Sequence, residues 1–213
     1  MSKLQITNYK SPRRLSLKIA VFGIICNLVL GIPSLYSQKE VVVKMKKAVM
    51  IIAQDGFRDE ELLLPKEVLD KNGIEVKIAS SSLTQAKGML GARFKPDLLI
   101  QDVNARDYDA IVFIGGAGAS QYWDDPLAHK LAQDALNTNR ILAAICIAPV
   151  TLAKAGVLRG KRATVWASEA GQLKAGGANY TGRNVERDGN VITASGPSAA
   201  AEFAQELVKA MLY

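Results

Sequence analysis

A buried strand that stops at a single cysteine constrains this chain more than any other segment. Arg140-Ile141-Leu142-Ala143-Ala144-Ile145-Cys146-Ile147-Ala148-Pro149 stays apolar through Ile145 and then meets a proline suited to a first helical turn. Small residues stand two positions either side of the cysteine, at Ala144 and Ala148. That is the layout of a G-x-S-x-G nucleophile elbow, where larger side chains would clash across the turn. Residues 150–155 then read as helix, stopped at Gly156. An elbow opening a helix puts the thiol near unpaired N–H groups, which is expected to favour thiolate and lower a free-cysteine pKa of about 8.5. A free cysteine also serves as small apolar filler, and the spacing alone leaves that alternative open.

Around the elbow, short apolar runs alternate with helical patterns at βαβ spacing, so the expected fold is an open α/β sandwich with a mostly parallel sheet covered on both faces. Strands are expected at residues 47–53, 74–80, 108–114, 140–145, 162–166, 185–187 and 191–194. Helices are expected at 60–72, at 126–138 after Asp125, and at 198–212. The first carries Leu62, Leu63, Val68 and Leu69 as its apolar face, with Gly73 as its stop. Gly88, Gly91 and Pro96 break residues 81–104 into pieces that suggest extra strands or a hairpin. The turn Gly115-Gly116-Ala117-Gly118-Ala119 permits positive φ and close approach of backbone to a ligand.

The net charge of +7 suggests a polyanion partner until it is divided along the chain. Residues 1–37 carry Lys3, Lys10, Arg13, Arg14 and Lys18 and no acid, leaving the rest with 22 basic against 20 acidic residues. So nearly neutral a body makes no electrostatic case for nucleic acid. Those 37 residues read as a signal peptide-like leader: a basic stretch, the apolar residues 20–30, then small residues up to Ser37. The apolar run is short for a permanent span, which needs roughly 20 residues, so no stable membrane span is expected after processing. Arg13-Arg14-Leu15-Ser16-Leu17-Lys18 resembles a twin-arginine signal, with Ser16 where an aromatic is usual. The expectation is export, with residues 38–45 as linker and 46–213 as the domain; the alternative is a cytoplasmic protein starting at Met45. Either way Cys26 is lost from the working protein. Cys146 then stands alone, which excludes a disulfide framework and a multi-cysteine metal site.

Four motifs in order resemble one family. The elbow, the strand end Val112-Phe113-Ile114-Gly115-Gly116, the early Asp59-Glu60-Glu61-Leu62-Leu63-Leu64-Pro65 and the late Thr193-Ala194-Ser195-Gly196-Pro197 together look like the ThiJ/PfpI superfamily, which includes the parkinsonism-associated deglycase and PfpI-type peptidases. The resemblance covers residues 46–212 and implies a flavodoxin-like three-layer α/β/α sandwich, of the class I glutamine amidotransferase type, in which the elbow cysteine faces a glutamate four residues before a proline. That glutamate is Glu61. A carboxyl held near a thiolate is pushed toward its protonated form and can shuttle a proton. The resemblance further implies an oxyanion site from the backbone N–H groups of Gly116 and Ile147, with Gly115 beside it. Gly115, Trp166, Ser195 and Ser198 are read alike as candidate pocket-lining residues, and the resemblance implies a homodimer. Tyr122 and Trp123 are read as rim, packing or dimer-contact residues.

PfpI-type peptidases carry histidine directly after the cysteine, where this chain has Ile147, and other members supply one where Trp166 stands. His129 is the chain's single histidine and reads as a surface residue off a stripe of Leu127, Leu131 and Ala135. Peptide hydrolysis, which needs a base and an acid for the leaving amine, therefore loses ground. No dinucleotide fingerprint, Walker loop or metal cluster appears, so no cofactor is expected. The expected function is that of a cofactor-independent thiol enzyme acting on a small reactive aldehyde or glycated substrate, in glyoxalase or deglycase fashion. The alternatives are a redox-sensing or chaperone-like stress protein with an oxidisable cysteine, and a cysteine peptidase.

Overall fold

The computed structural model describes residues 45–213. The leader, its cleavage point, Cys26 and most of the linker lie outside the described residues. In chain order the elements are β1 (Lys47–Ile51), β2 (Asp55–Phe57), α1 (Asp59–Lys71), β3 (Glu75–Ser80), β4 (Ala86–Gly88), β5 (Arg93–Phe94), β6 (Leu98–Leu99) and β7 (Ala110–Phe113). They continue with α2 (Pro126–Asn137), β8 (Ile141–Ile145), α3 (Pro149–Lys154), β9 (Arg162–Ala163), α4 (Ala170–Ala175), β10 (Asn179–Tyr180), β11 (Val185–Asp188), β12 (Val191–Ala194) and α5 (Ala200–Leu212).

The main sheet has seven strands in the order β11-β12-β8-β7-β1-β3-β6, parallel except for β11, which returns by a hairpin through Gly189. Residues of β1 alternate between two cores. Val49 and Ile51 pack with α2, α3 and α4, whereas Ala48 and Met50 pack with α1 and α5. A strand buried on both faces must be apolar throughout, which is why these strands read as continuous runs. From β1 the chain winds outward through β3, then crosses to β7 on the other side and continues to β8 and β12. The crevice at that switch, outside the carboxyl ends of the strands, is where open α/β sheets bind ligands. Gly115, Cys146 and Ser195 follow β7, β8 and β12 at this edge.

Three local expectations are corrected. Leu63 is 42% exposed, and the buried side of α1 is Glu61, Leu62, Pro65 and Leu69. In α2 the buried stripe is Ala128, Leu131, Ala132 and Ala135, with Leu127 at 46% exposure. The strand expected over 162–166 ends at Ala163 and gives way to a 3-10 turn at Ala167–Glu169, because Trp166 N–H turns to donate to the Cys146 carbonyl. Residues 81–104 form the expected hairpin, β4 with β5 antiparallel.

Candidate active site

Cys146 has φ 62°, a left-handed conformation that costs a residue with a Cβ about 1–3 kcal/mol. The backbone is held there from both sides. Its N–H donates to the Ala194 carbonyl at 2.9 Å, and its carbonyl accepts from Trp166 N–H at 2.8 Å. Relieving the strain should show as stability: Cys146→Gly is expected to melt above Cys146→Ala by about 1 kcal/mol, both having lost the thiol. Equal melting of the two variants would deny that the elbow is strained.

Glu61 reaches the thiol from the first turn of α1. It shares a face with Pro65 and Leu69 at helical spacing and is fully buried. Pro65 lacks the N–H that would bond the Glu61 carbonyl, loosening the helix at that turn. The carboxylate Oε2 accepts Gly115 N–H at 3.1 Å, while Oε1 is buried with no hydrogen-bond partner. Gly115 is glycine for lack of room: a Cβ there would lie 2.5 Å from both Cys146 Cβ and Glu61 Oε2. Gly116, at φ 97°, is packed equally tightly against the backbone at Gly56 and Phe57. The backbone N–H groups of Gly116 and Ile147 act on the thiol as donors, each favouring its ionised form. The four residues expected at the centre, Cys146, Glu61, Gly116 and Ile147, are thus brought together, with Gly115 between them.

The acidity of the pair differs from the expectation of a low thiol pKa. Burial is the largest cause in both groups, pushing Glu61 up to about 7 and Cys146 up to about 12, with the Glu61 charge adding to the rise at the thiol. The Gly116 and Ile147 N–H groups lower the thiol but do not offset burial at 8% exposure, and α3 has only six residues to contribute a dipole. The pair therefore gives up its first proton near neutrality. The resulting monoanion has one proton to place between carboxylate and thiol.

The other expected residues are more peripheral. Trp166 is 47% exposed, its ring against Gly196. Ser195 is half-buried at the end of β12, and Ser198 is exposed. Of the alternatives for Tyr122, packing is the one seen: it is 2% exposed and its hydroxyl donates to the Ile52 carbonyl at 2.9 Å. Half-buried Trp123 donates its indole N–H to the Ile147 carbonyl at 3.3 Å. His129 is half-buried, its Nε2 2.7 Å from the Trp123 carbonyl oxygen.

Two supporting residues escaped sequence reasoning. Arg58 donates its backbone N–H to the Gly115 carbonyl at 2.9 Å, and Glu60 takes its guanidinium at 2.8 and 3.0 Å. Buried Asp59 accepts Leu90 and Ala92 N–H at 2.8 and 2.6 Å, tying the β4–β5 turn to the start of α1. Gly88 was the available signal, since a Cβ there would lie 2.5 Å from Asp59 Oδ2.

Comparison with known proteins gives this arrangement a family. The model of the DJ-1/PfpI family matches residues 46–210. An uncharacterised protein of Methanocaldococcus jannaschii is 43% identical over 178 residues, covering 82% of this chain and 87% of its own. A glutathione-independent glyoxalase of Caenorhabditis elegans is 30% identical over 166 residues, 78% of this chain and 89% of its own. The deglycase PfpI of Pyrococcus furiosus is 29% identical over 161 residues, 76% of this chain and 97% of its own. Among solved structures, a ThiJ/PfpI domain protein from Brachyspira murdochii superposes with TM-score 0.77 at 32% identity, covering 78% of this chain and 96% of that one.

Proposed function

The chain belongs to the DJ-1/PfpI family, and on that premise we propose that it is a cofactor-independent, cysteine-dependent enzyme acting on small reactive carbonyls, as a glyoxalase or deglycase. The observation that carries the reading is Cys146 at φ 62° beside a fully buried Glu61, with Gly115 packed between the two side chains.

With a 2-oxoaldehyde, the Cys146 sulfur adds to the aldehyde carbon while the thiol proton passes to the Glu61 carboxylate. The new alkoxide takes over the N–H groups that had faced the sulfur, a type of contact that contributes roughly 3–4 kcal/mol to a transition state. Glu61 hands the thiol proton to the hemithioacetal oxygen and, ionised again, carries the aldehyde carbon's proton to the neighbouring carbonyl carbon, leaving a thioester of the 2-hydroxy acid. Water cleaves the thioester and restores the thiol. Methylglyoxal and water become lactate, with no net oxidation. The peptidase reading has no support from the geometry, since His129 faces the Trp123 carbonyl.

The test is lactate formation from methylglyoxal by the purified chain. Below about pH 7 both members of the pair keep their protons and no base is present, so kcat/KM is expected to rise with pH through about 7. Absence of lactate at every pH would sink the proposal. The same proposal holds the enzyme to be a homodimer, checked by sedimentation, and exported by residues 1–37, checked by fractionation; a cytoplasmic protein starting at Met45 is the other outcome.

A further inference from the structure

Trp166 is held in place yet left uncovered. Its N–H is bonded to the Cys146 carbonyl at 2.8 Å, and its ring lies against Gly196 in the turn after β12. A Cβ at Gly196 would come within 2.7 Å of Trp166 Cε3 and 2.9 Å of Cζ3, so glycine is what lets the indole sit there. Despite this anchoring the residue is 47% exposed, the one large exposed aromatic among the described residues apart from terminal Tyr213. With its backbone tied to that of the nucleophile and its indole seated on Gly196, half-exposed, Trp166 presents a π surface beside the elbow.

The charges beside the thiol point the same way. The working state of the Cys146–Glu61 pair is a buried monoanion. Arg58, the cation close enough to sense both, has its guanidinium engaged by Glu60 at 2.8 and 3.0 Å. A carboxylate on the substrate would meet a negative site whose neighbouring cation, Arg58, is already paired with Glu60.

We infer that Trp166 is a specificity residue, and that the site prefers neutral carbonyl compounds carrying an aryl or other flat apolar substituent over those carrying a carboxylate. This rests on the reading of Cys146 as the reacting group given above. The preferred substrate class is then aryl 2-oxoaldehydes, ahead of methylglyoxal.

A probe that does not depend on turnover is alkylation of Cys146 in the full chain, followed by the mass of the Cys146 peptide. Iodoacetamide, its N-phenyl derivative and iodoacetate are compared at one pH, each rate divided by that with glutathione. In all three the C–S bond forms as the C–I bond breaks; iodide leaves, and the thiol proton goes to Glu61 or solvent. The phenyl reagent is expected to lead iodoacetamide by about 3- to 10-fold, with iodoacetate slowest. Trp166→Ala should erase that lead and Trp166→Phe should keep most of it. The kcat/KM ratio of phenylglyoxal to methylglyoxal should fall in step. An equal ratio in native protein and Trp166→Ala, no aryl lead at all, or iodoacetate outpacing iodoacetamide would overturn the inference. An aryl lead that depends on Trp166, with neither aldehyde turned over, would support the inference and refute the glyoxalase reading alone.

Discussion

Cys146→Ser is expected to lower kcat/KM for lactate formation by about 10³-fold or more while leaving the fold intact. The substitution changes one atom at the apex of the elbow, and the bonds that hold φ at 62°, from Ala194 and Trp166, are all backbone bonds. What is lost is nucleophilicity. A hydroxyl is far harder to deprotonate than a thiol, and Glu61, with a pKa of about 7, is too weak a base to do it at neutral pH. Lactate yield and melting temperature are read on the same preparation. Full lactate formation by a folded Cys146→Ser protein would remove the cysteine from the mechanism.

Glu61→Gln is expected to abolish turnover and, at neutral and alkaline pH, to stabilise the protein. Burial raises the Glu61 carboxyl from 4.5 to about 7, so between those values the native state binds a proton that the unfolded chain has released. The stability contributed by that proton is complete below about pH 4.5 and is lost as pH rises through about 7. At about 1.4 kcal/mol per pKa unit the loss is ~3 kcal/mol for a fully buried group. Glutamine keeps an oxygen for Gly115 N–H and never ionises. Denaturant unfolding at pH 5 and pH 8 should therefore show native protein losing ~2.5 kcal/mol more than Glu61→Gln across that interval. Parallel losses in the two proteins would mean that Glu61 is not held near neutrality, and its role as proton carrier would go with it.

The elbow was legible because its signal is local. An apolar run, small residues at Ala144 and Ala148, and Pro149 three residues past the cysteine are all set by the chain's own geometry. The placement of Glu61 was legible only through the family resemblance, as the glutamate four residues before Pro65; in the fold it shares one side of the helix with Pro65 and Leu69. Local pattern failed where distant segments decide. Leu63 and Leu127 fit an apolar stripe by spacing, yet the neighbouring elements cover Pro65 and Ala128 instead. Trp166 left its expected strand to bond the Cys146 carbonyl, and Tyr122 found an acceptor inside the core at Ile52. Thiol acidity is the clearest case. The sequence shows a helix start, which lowers a pKa, but the depth of burial and the facing carboxylate that raise it belong to the folded molecule.

The most direct test of the central claim, that Cys146 and Glu61 titrate as one unit, is the pH dependence of Cys146 alkylation by iodoacetamide in native protein and in Glu61→Gln. Native labelling should rise with a midpoint near 7, where the pair loses its first proton. In Glu61→Gln that step should vanish and labelling should climb only at clearly higher pH, because burial still holds the thiol up and no carboxylate remains to take its proton. Superimposable profiles in the two proteins would contradict the account, leaving a cysteine and a glutamate that are neighbours without being partners.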